Sequence, residues 1–310
     1  MKHRQQVSAV LAIVLVVCFV ASVLVRRSVD RLRAEATLEE VLYIPSPRAL
    51  KAMSLGYEGL LADIYWTRAV QYFGGKHHQN SMQYQLLAPL LDITTTLDPH
   101  LLAAYEFGSV FLTQKPPAGA GDPDKAVELV ERGINDNPDQ WRLYYDLGFI
   151  YYIEKHDPQA AADAFERGMK VPNAHPFLKV LAAAMAQQGG EKQKAKLLWE
   201  MTYETTEDKN IKDNALKHLA ALKVDDDIDH LDEITADYRA KHAGENPATW
   251  RDLIADGYLR GVPGDPLGKA YKLMPGGRIE VQDPDSLPFI KRGLPPGRQA
   301  MQFGMPYTKK

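Results

Sequence analysis

The chain has 310 residues, a hydrophobic fraction of 45% and a formal net charge of -3. This length and apolar content allow one or two globular domains, and the charge gives no basic excess of the kind that nucleic-acid-binding proteins carry. The only cysteine is Cys18, so a disulfide within the chain and a cysteine metal site are both excluded.

Residues 7–25 form an apolar run that is long enough to cross a hydrocarbon core of ~30 Å. The run predicts a transmembrane signal anchor over residues 1–27, followed by a stalk over residues 28–46. A cleaved signal peptide is the alternative, with Val20-Ala21-Ser22 as its cleavage site, but the run continues past that site to Arg26. We therefore favour an uncleaved, single-pass membrane anchor.

The charges that flank this run support two opposite orientations. The arginines between positions 26 and 33 outnumber Lys2 and Arg4, which favours a body on the cytoplasmic side. A short basic head before an N-terminal apolar segment is also typical of an anchor that sends the rest of the chain outward. We expect the second orientation, which places the following domain on the extracytoplasmic side.

Helical spacing begins at Ser46-Pro47, where serine suits an N-cap and proline suits the first turn. From residue 47 to residue 243 the pattern predicts paired helices.

His77 and His78 follow Gly74-Gly75 in this region, and they suggest a metal site at first sight. Adjacent side chains on a helix point about 100° apart, and no HExxH motif accompanies the two histidines. We therefore predict no metal ligands.

Residues 144–172 show the most informative spacing in the chain, with an aromatic-Leu-Gly-Tyr set followed by an Ala-Phe-Gly-Pro set. The positions are Tyr144, Leu147, Gly148, Tyr151, Ala161, Phe165, Gly168 and Pro172. This spacing is the signature of a helix-turn-helix repeat with a period of about 34 residues, and Ala195 and Trp199 recur one period after Ala161 and Phe165. The chain therefore resembles the tetratricopeptide repeat (TPR) family from about residue 60 to residue 208, with further copies around Trp66 and Phe107.

The resemblance implies a right-handed superhelix whose inner wall is formed by the first helix of each pair. Carried onto this chain, the resemblance predicts a partner-binding groove of aromatic and polar side chains. The predicted groove residues are Tyr105, Ser109, Leu112, Arg142, Tyr145, Phe149 and Tyr152. The alternative is that these aromatic residues belong to the core of the repeats, because aromatic side chains at helical spacing often do.

Two amphipathic helices are predicted after the repeats, over residues 211–222 and 228–238. The aspartates at positions 225, 226, 227 and 229 resemble the start of a calcium loop, but the glycine and final glutamate of such a loop are missing. We interpret them as carboxylates at a helix N-terminus, where the helix dipole favours negative charge.

Proline and glycine become frequent over residues 244–310, which predicts a small irregular C-terminal extension. A short helix is expected near Trp250 and a β-hairpin around Gly276-Gly277. The segment Asp265-Pro266-x-Gly268-x2-Tyr271 looks like a short segment of secretion pseudopilins and other bacterial envelope proteins. Residues 42–47 and 55–66 are similar to a group of bacterial single-span repeat proteins.

The sequence thus predicts an all-α, TPR-like helical-hairpin solenoid with an N-terminal transmembrane helix. The expected function is a scaffold or adaptor at the bacterial cytoplasmic membrane that binds protein segments and supports assembly of a cell-envelope machine. The alternative is a fixed structural subunit of a secretion, pilus or polysaccharide complex. An enzyme that uses the C-terminal extension is a less favoured alternative, because no Ser/His/Asp or Cys/His arrangement and no phosphate-binding loop is present. We therefore expect no enzyme activity, cofactor, small-molecule substrate or nucleic-acid partner.

Overall fold

The computed structural model describes residues 46–301, and the prediction of a mainly α-helical chain is confirmed. The predicted anchor, almost all of the stalk and the last residues of the extension lie outside the described residues. The helices are α1 (Pro47–Met53), α2 (Glu58–His78), α3 (Leu87–Leu97), α4 (Leu102–Thr113), α5 (Pro123–Asp136), α6 (Trp141–Phe149), α7 (Pro158–Met169), α8 (Phe177–Gln188), α9 (Lys192–Thr205), α10 (Lys209–Lys241) and α11 (Trp250–Ala255).

From α2 to α10, each helix packs against the next helix in the sequence. Helices two places apart also meet, since α3 contacts α5 and α4 contacts α6. This order of contacts is compatible with an α-solenoid, in which neighbouring units bury each other's apolar faces. None of the helices within residues 46–301 has the length and hydropathy that a bilayer crossing needs.

The starts of α5 and α7 follow from the same local chemistry. Asp122 precedes Pro123 and accepts a hydrogen bond from the Lys125 amide at 3.0 Å, and Asp157 precedes Pro158 and accepts from the Ala160 amide at 2.9 Å. An aspartate N-cap satisfies an amide that has no partner in the helix, and proline in the first turn has no amide to satisfy. The local sequence therefore fixes the residue at which α5 and α7 each begin.

Glycines at the signature positions allow the helices to approach closely. A Cβ atom at Gly148 would lie 2.3 Å from Phe165, and a Cβ atom at Gly168 would lie 2.6 Å from Leu178. The neighbouring side chain cannot move away to make room, because Phe165 is fully buried in the close-packed core. The glycines of residues 144–172 thus set the distance between α6, α7 and α8.

The prediction of two separate helices after residue 208 is wrong. Residues 209–241 form one helix, α10, because no glycine or proline interrupts the chain between Leu222 and Ile228. Asp225 and its neighbours therefore lie in the middle of a helix, and the interpretation that they favour a helix N-terminus is also wrong. Asp225 is buried, and its carboxylate accepts hydrogen bonds from the backbone amides of Lys291 and Arg292, both at 2.8 Å.

The C-terminal extension has its own small core, and this core packs on α10. Strands β1 (Lys272–Leu273) and β2 (Ile279–Glu280) pair antiparallel around Gly276 and Gly277, both with positive φ, as predicted for the hairpin. Trp250 donates a hydrogen bond from Nε1 to the Tyr271 carbonyl at 2.9 Å. The core residues contributed by the two sides are Ala221, Val224, Ile228, Leu231, Trp250, Leu253, Tyr271, Ile279, Val281, Leu287 and Ile290.

Candidate functional site

A cavity of about 480 Å³ lies where α4, α6 and the start of α8 meet. Its lining residues come from all three helices and from the segment before α8. They are Glu106, Phe107, Val110, Trp141, Arg142, Tyr145, Asp146, His175, Phe177 and Leu178. We refer to it as the aromatic cavity. A cavity of this size can take one or two side chains of a partner.

The wall of the aromatic cavity is largely apolar, and part of it is exposed to solvent. Phe107 is 55% exposed and Phe177 is 42% exposed, although both are large apolar side chains. Trp141 meets Tyr145 edge to face with ring centroids 6.3 Å apart. His175 lies 6.0 Å from the Trp141 ring and accepts a hydrogen bond at Nδ1 from the Phe177 amide at 3.2 Å. Exposed aromatic side chains around a cavity are typical of binding surfaces.

Three charged groups stand among these aromatic rings. The pKa of Asp146 is raised to about 7, mainly by burial and also by the nearby carboxylate of Glu106, while the guanidinium of Arg142 opposes the shift. Arg142 also lies over the Trp141 ring, with 5.6 Å between the guanidinium carbon and the ring centroid. Near neutral pH the charge of the cavity therefore depends on whether Asp146 carries a proton.

The structure separates the seven predicted groove residues into three groups. Arg142 and Tyr145 line the aromatic cavity. Phe149 and Tyr152 are half-buried and pack against the core that α7 to α10 share, where Phe149 meets Phe165 at 5.4 Å between centroids. The other three, all on α4, lie beneath the surface.

The α4 residues of the predicted groove need correction, because Tyr105 is 0% exposed and Ser109 and Leu112 are each 2% exposed. Tyr105 packs so tightly against α5 that a Cβ atom at Gly133 would lie 2.7 Å from its ring. Buried side chains of this kind cannot meet a partner. The face that α4 offers to the cavity is instead formed by Glu106, Phe107 and Val110.

The error on α4 has a physical reason. The sequence of α4 is apolar on nearly every side, so its periodicity does not indicate which face is buried. Glu106 is the only charged residue of α4, and its position in the sequence indicates which face of the helix is exposed. A lone carboxylate on an apolar helix has to reach solvent or a polar site. The same reasoning applies to Asp146, the only acidic residue of α6.

A second, smaller cavity of about 330 Å³ lies between α3, α4 and α5. Arg132 and Asp92 form an ion pair in its wall, so its main charged groups already have partners. Across residues 46–301, no group of three or more His, Asp or Glu side chains could hold a metal ion. The aromatic cavity is therefore the candidate functional site.

No protein-family model matches this chain, and a search of curated proteins finds no match.

Proposed function

We propose that this protein is a membrane-anchored interaction module of the TPR type that binds a segment of a partner protein in the aromatic cavity. The observation that carries the proposal is the exposure of Phe107 and Phe177 beside a cavity of about 480 Å³. Large apolar side chains normally avoid water, and their exposure around a cavity marks a surface that a partner covers. The proposed role is to gather partners for a machine of the bacterial cell envelope.

The repeat architecture is part of the same proposal. In TPR-type pairs, small residues let helices approach while large residues fill the space between pairs, and Gly148 against Phe165 has this relation. The cavity lies on α4, α6 and α8, each of which is the first helix of its pair in the proposed repeats. A partner segment that crosses these helices would contact successive repeats.

The membrane anchor is proposed from the apolar run at residues 7–25. A reporter that is active only outside the cytoplasm, fused after Lys310, tests the orientation. We expect activity from this fusion, and we expect the protein to stay with membranes after alkaline extraction. Activity of a cytoplasm-specific reporter at the same position would contradict the proposed orientation.

Quantitative affinity purification tests the interaction itself. Full-length protein is recovered from membranes as wild type, as the double variant Phe107→Ala/Phe177→Ala, and as the control Leu197→Ala, which removes an apolar side chain that is 60% exposed on α9. We expect one or more partners to be lost from the double variant and retained by the control. Identical partner sets for all three proteins would count against the aromatic cavity.

A further inference from the structure

Two carboxyl groups of the aromatic cavity have no partner in the described part of the chain. Glu106 on α4 and Asp146 on α6 both line the cavity. Neither side chain forms a hydrogen bond or an ion pair with another residue between 46 and 301. Elsewhere in the repeats, carboxylates are commonly paired, as Glu131 is with Arg167 at 2.8 Å. The cavity therefore offers acceptor groups that the protein itself does not use.

The surroundings of Asp146 make its negative charge costly. Removal from water penalises a charged group unless an opposite charge or a hydrogen bond replaces the lost hydration. The raised pKa of Asp146 expresses this penalty, and Glu106 contributes to it because two like charges repel. A cation that enters between the two groups would relieve both effects.

Arg142 does not supply the cation that would pair with Glu106 and Asp146. Its guanidinium lies over the Trp141 ring and forms no ion pair with either carboxylate within 4.0 Å. With both acids ionised, the three groups carry one net negative charge. The rings of Trp141 and Tyr145 add the negative faces that attract cations in aromatic sites.

We propose that the bound segment presents a basic side chain, an arginine or a lysine, which enters the cavity between Glu106 and Asp146. An apolar side chain next to it in the segment covers Phe107 and Phe177. This inference rests on the proposed function, since it names the chemistry of the segment that the cavity receives. An acidic or purely apolar segment would leave the two carboxylates desolvated and unpaired.

Binding of such a segment depends on pH. The charged groups that share the cavity with Asp146 are Glu106 from α4, Arg142 from α6 and His175 before α8. As the pH falls below about 7, Asp146 takes up a proton and loses its attraction for the cation.

Selection from a library of short random peptides tests the inference on the full-length protein in detergent micelles. The bait proteins are the wild type, Glu106→Gln/Asp146→Asn, Phe107→Ala, and the control Asp213→Asn/Glu207→Gln, which makes the same charge change at exposed positions. We expect wild type and control to enrich peptides with a basic residue beside an apolar one. The Glu106→Gln/Asp146→Asn variant should lose the basic preference, and replacing the selected arginine by citrulline should weaken wild-type binding about tenfold.

The outcomes separate this inference from the proposed function. Peptides that need Phe107 but show no basic preference, or that bind equally well with citrulline, would overturn the inference and leave the proposed function standing. Absence of any peptide whose binding needs Phe107 would overturn both.

For a selected arginine peptide, affinity should also fall between about pH 8 and about pH 6, and a smaller fall is expected for Asp146→Asn. An unchanged affinity across this range would contradict the part given to Asp146.

Discussion

Gly148 occupies a position where α6 leaves no space for a side chain. A Cβ atom at this residue would meet three atoms of the Phe165 ring at 2.3, 2.5 and 2.6 Å. We expect Gly148→Ala to lower the free energy of unfolding by about 2 kcal/mol, because overpacking in a rigid core forces side chains from their preferred conformations. Chemical denaturation monitored by circular dichroism measures the change.

Gly74→Ala is the matched control for this prediction. Gly74 lies within α2, and a Cβ atom there would meet no atom within 4 Å. Alanine favours a helix interior over glycine by up to ~1 kcal/mol, so this variant should be as stable as the wild type or more stable. Equal denaturation midpoints for Gly148→Ala and the wild type would contradict the described packing of α6 on α7.

Asp146 should make the stability of the folded chain depend on pH. Its usual pKa of 3.8 is raised to about 7 in the folded protein, so the folded state holds this proton more tightly than the unfolded chain does. The stabilisation that the proton gives is complete below about pH 4 and is lost as the pH rises through 7. Asp146→Asn cannot lose a proton. Its stability relative to wild type should therefore rise by about 2 kcal/mol between about pH 5 and about pH 8, a value discounted for partial exposure.

Thermal unfolding of both proteins across this pH range gives the measurement. Asp213→Asn on α10 is the control, since it makes the same chemical change at an exposed position. If the difference in stability between Asp146→Asn and the wild type is the same at every pH, burial does not raise the pKa of Asp146.

Among the elements, α10 connects the preceding helices to the C-terminal extension. His218 on α10 is stacked between Trp199 of α9 and Phe289 of the extension, with ring centroids 4.1 and 3.7 Å away. Lys291 donates a hydrogen bond from Nζ to the Gln187 carbonyl at the end of α8, at 2.6 Å. The extension therefore contacts both α8 and α10 at the C-terminal end of the helical array.

Asp225→Ala should release this part of the extension. Asp225 accepts from two backbone amides, those of Lys291 and Arg292, and alanine would leave both without a partner. Loss of these two hydrogen bonds costs about 1 kcal/mol each, so hydrogen exchange at the two amides should become faster. Asp213→Ala on the same helix should leave exchange there unchanged. Equal exchange in the Asp225→Ala variant and the wild type would contradict the role of Asp225.

The elements differ in how much of them the sequence could predict. The starts of α5 and α7 follow from Asp-Pro pairs, and the close packing of α6 on α7 follows from Gly148, so these features are local in the sequence. The continuity of α10 was missed because the aspartates at 225–227 resemble a loop, although no glycine or proline interrupts the chain there. The partners that the extension supplies for Asp225 and Asp227 are distant in sequence and could not be predicted locally. The apolar sequence of α4 does not indicate which face of the helix is exposed, so its three predicted groove residues were wrong. Of the seven predicted residues, Arg142 and Tyr145 line the aromatic cavity.

At the scale of the whole molecule, the proposals describe a repeat domain that presents one aromatic cavity to partners while its C-terminal end is closed by the extension. The cavity joins α4, α6 and α8, so the path of a bound segment would run across successive repeats rather than along one helix. Because Phe107 and Phe177 are exposed on the free protein, a partner gains apolar contact without first displacing core side chains.

Site-specific photo-crosslinking in living cells tests the central claim most directly. A photoreactive phenylalanine derivative replaces Phe107 in the aromatic cavity, and in a control protein it replaces Leu197, which is exposed on α9 away from the cavity. We expect discrete crosslinked products from position 107 that are absent from position 197 and that disappear when Glu106→Gln/Asp146→Asn is added. The same products from both positions, or none from position 107, would contradict the central claim.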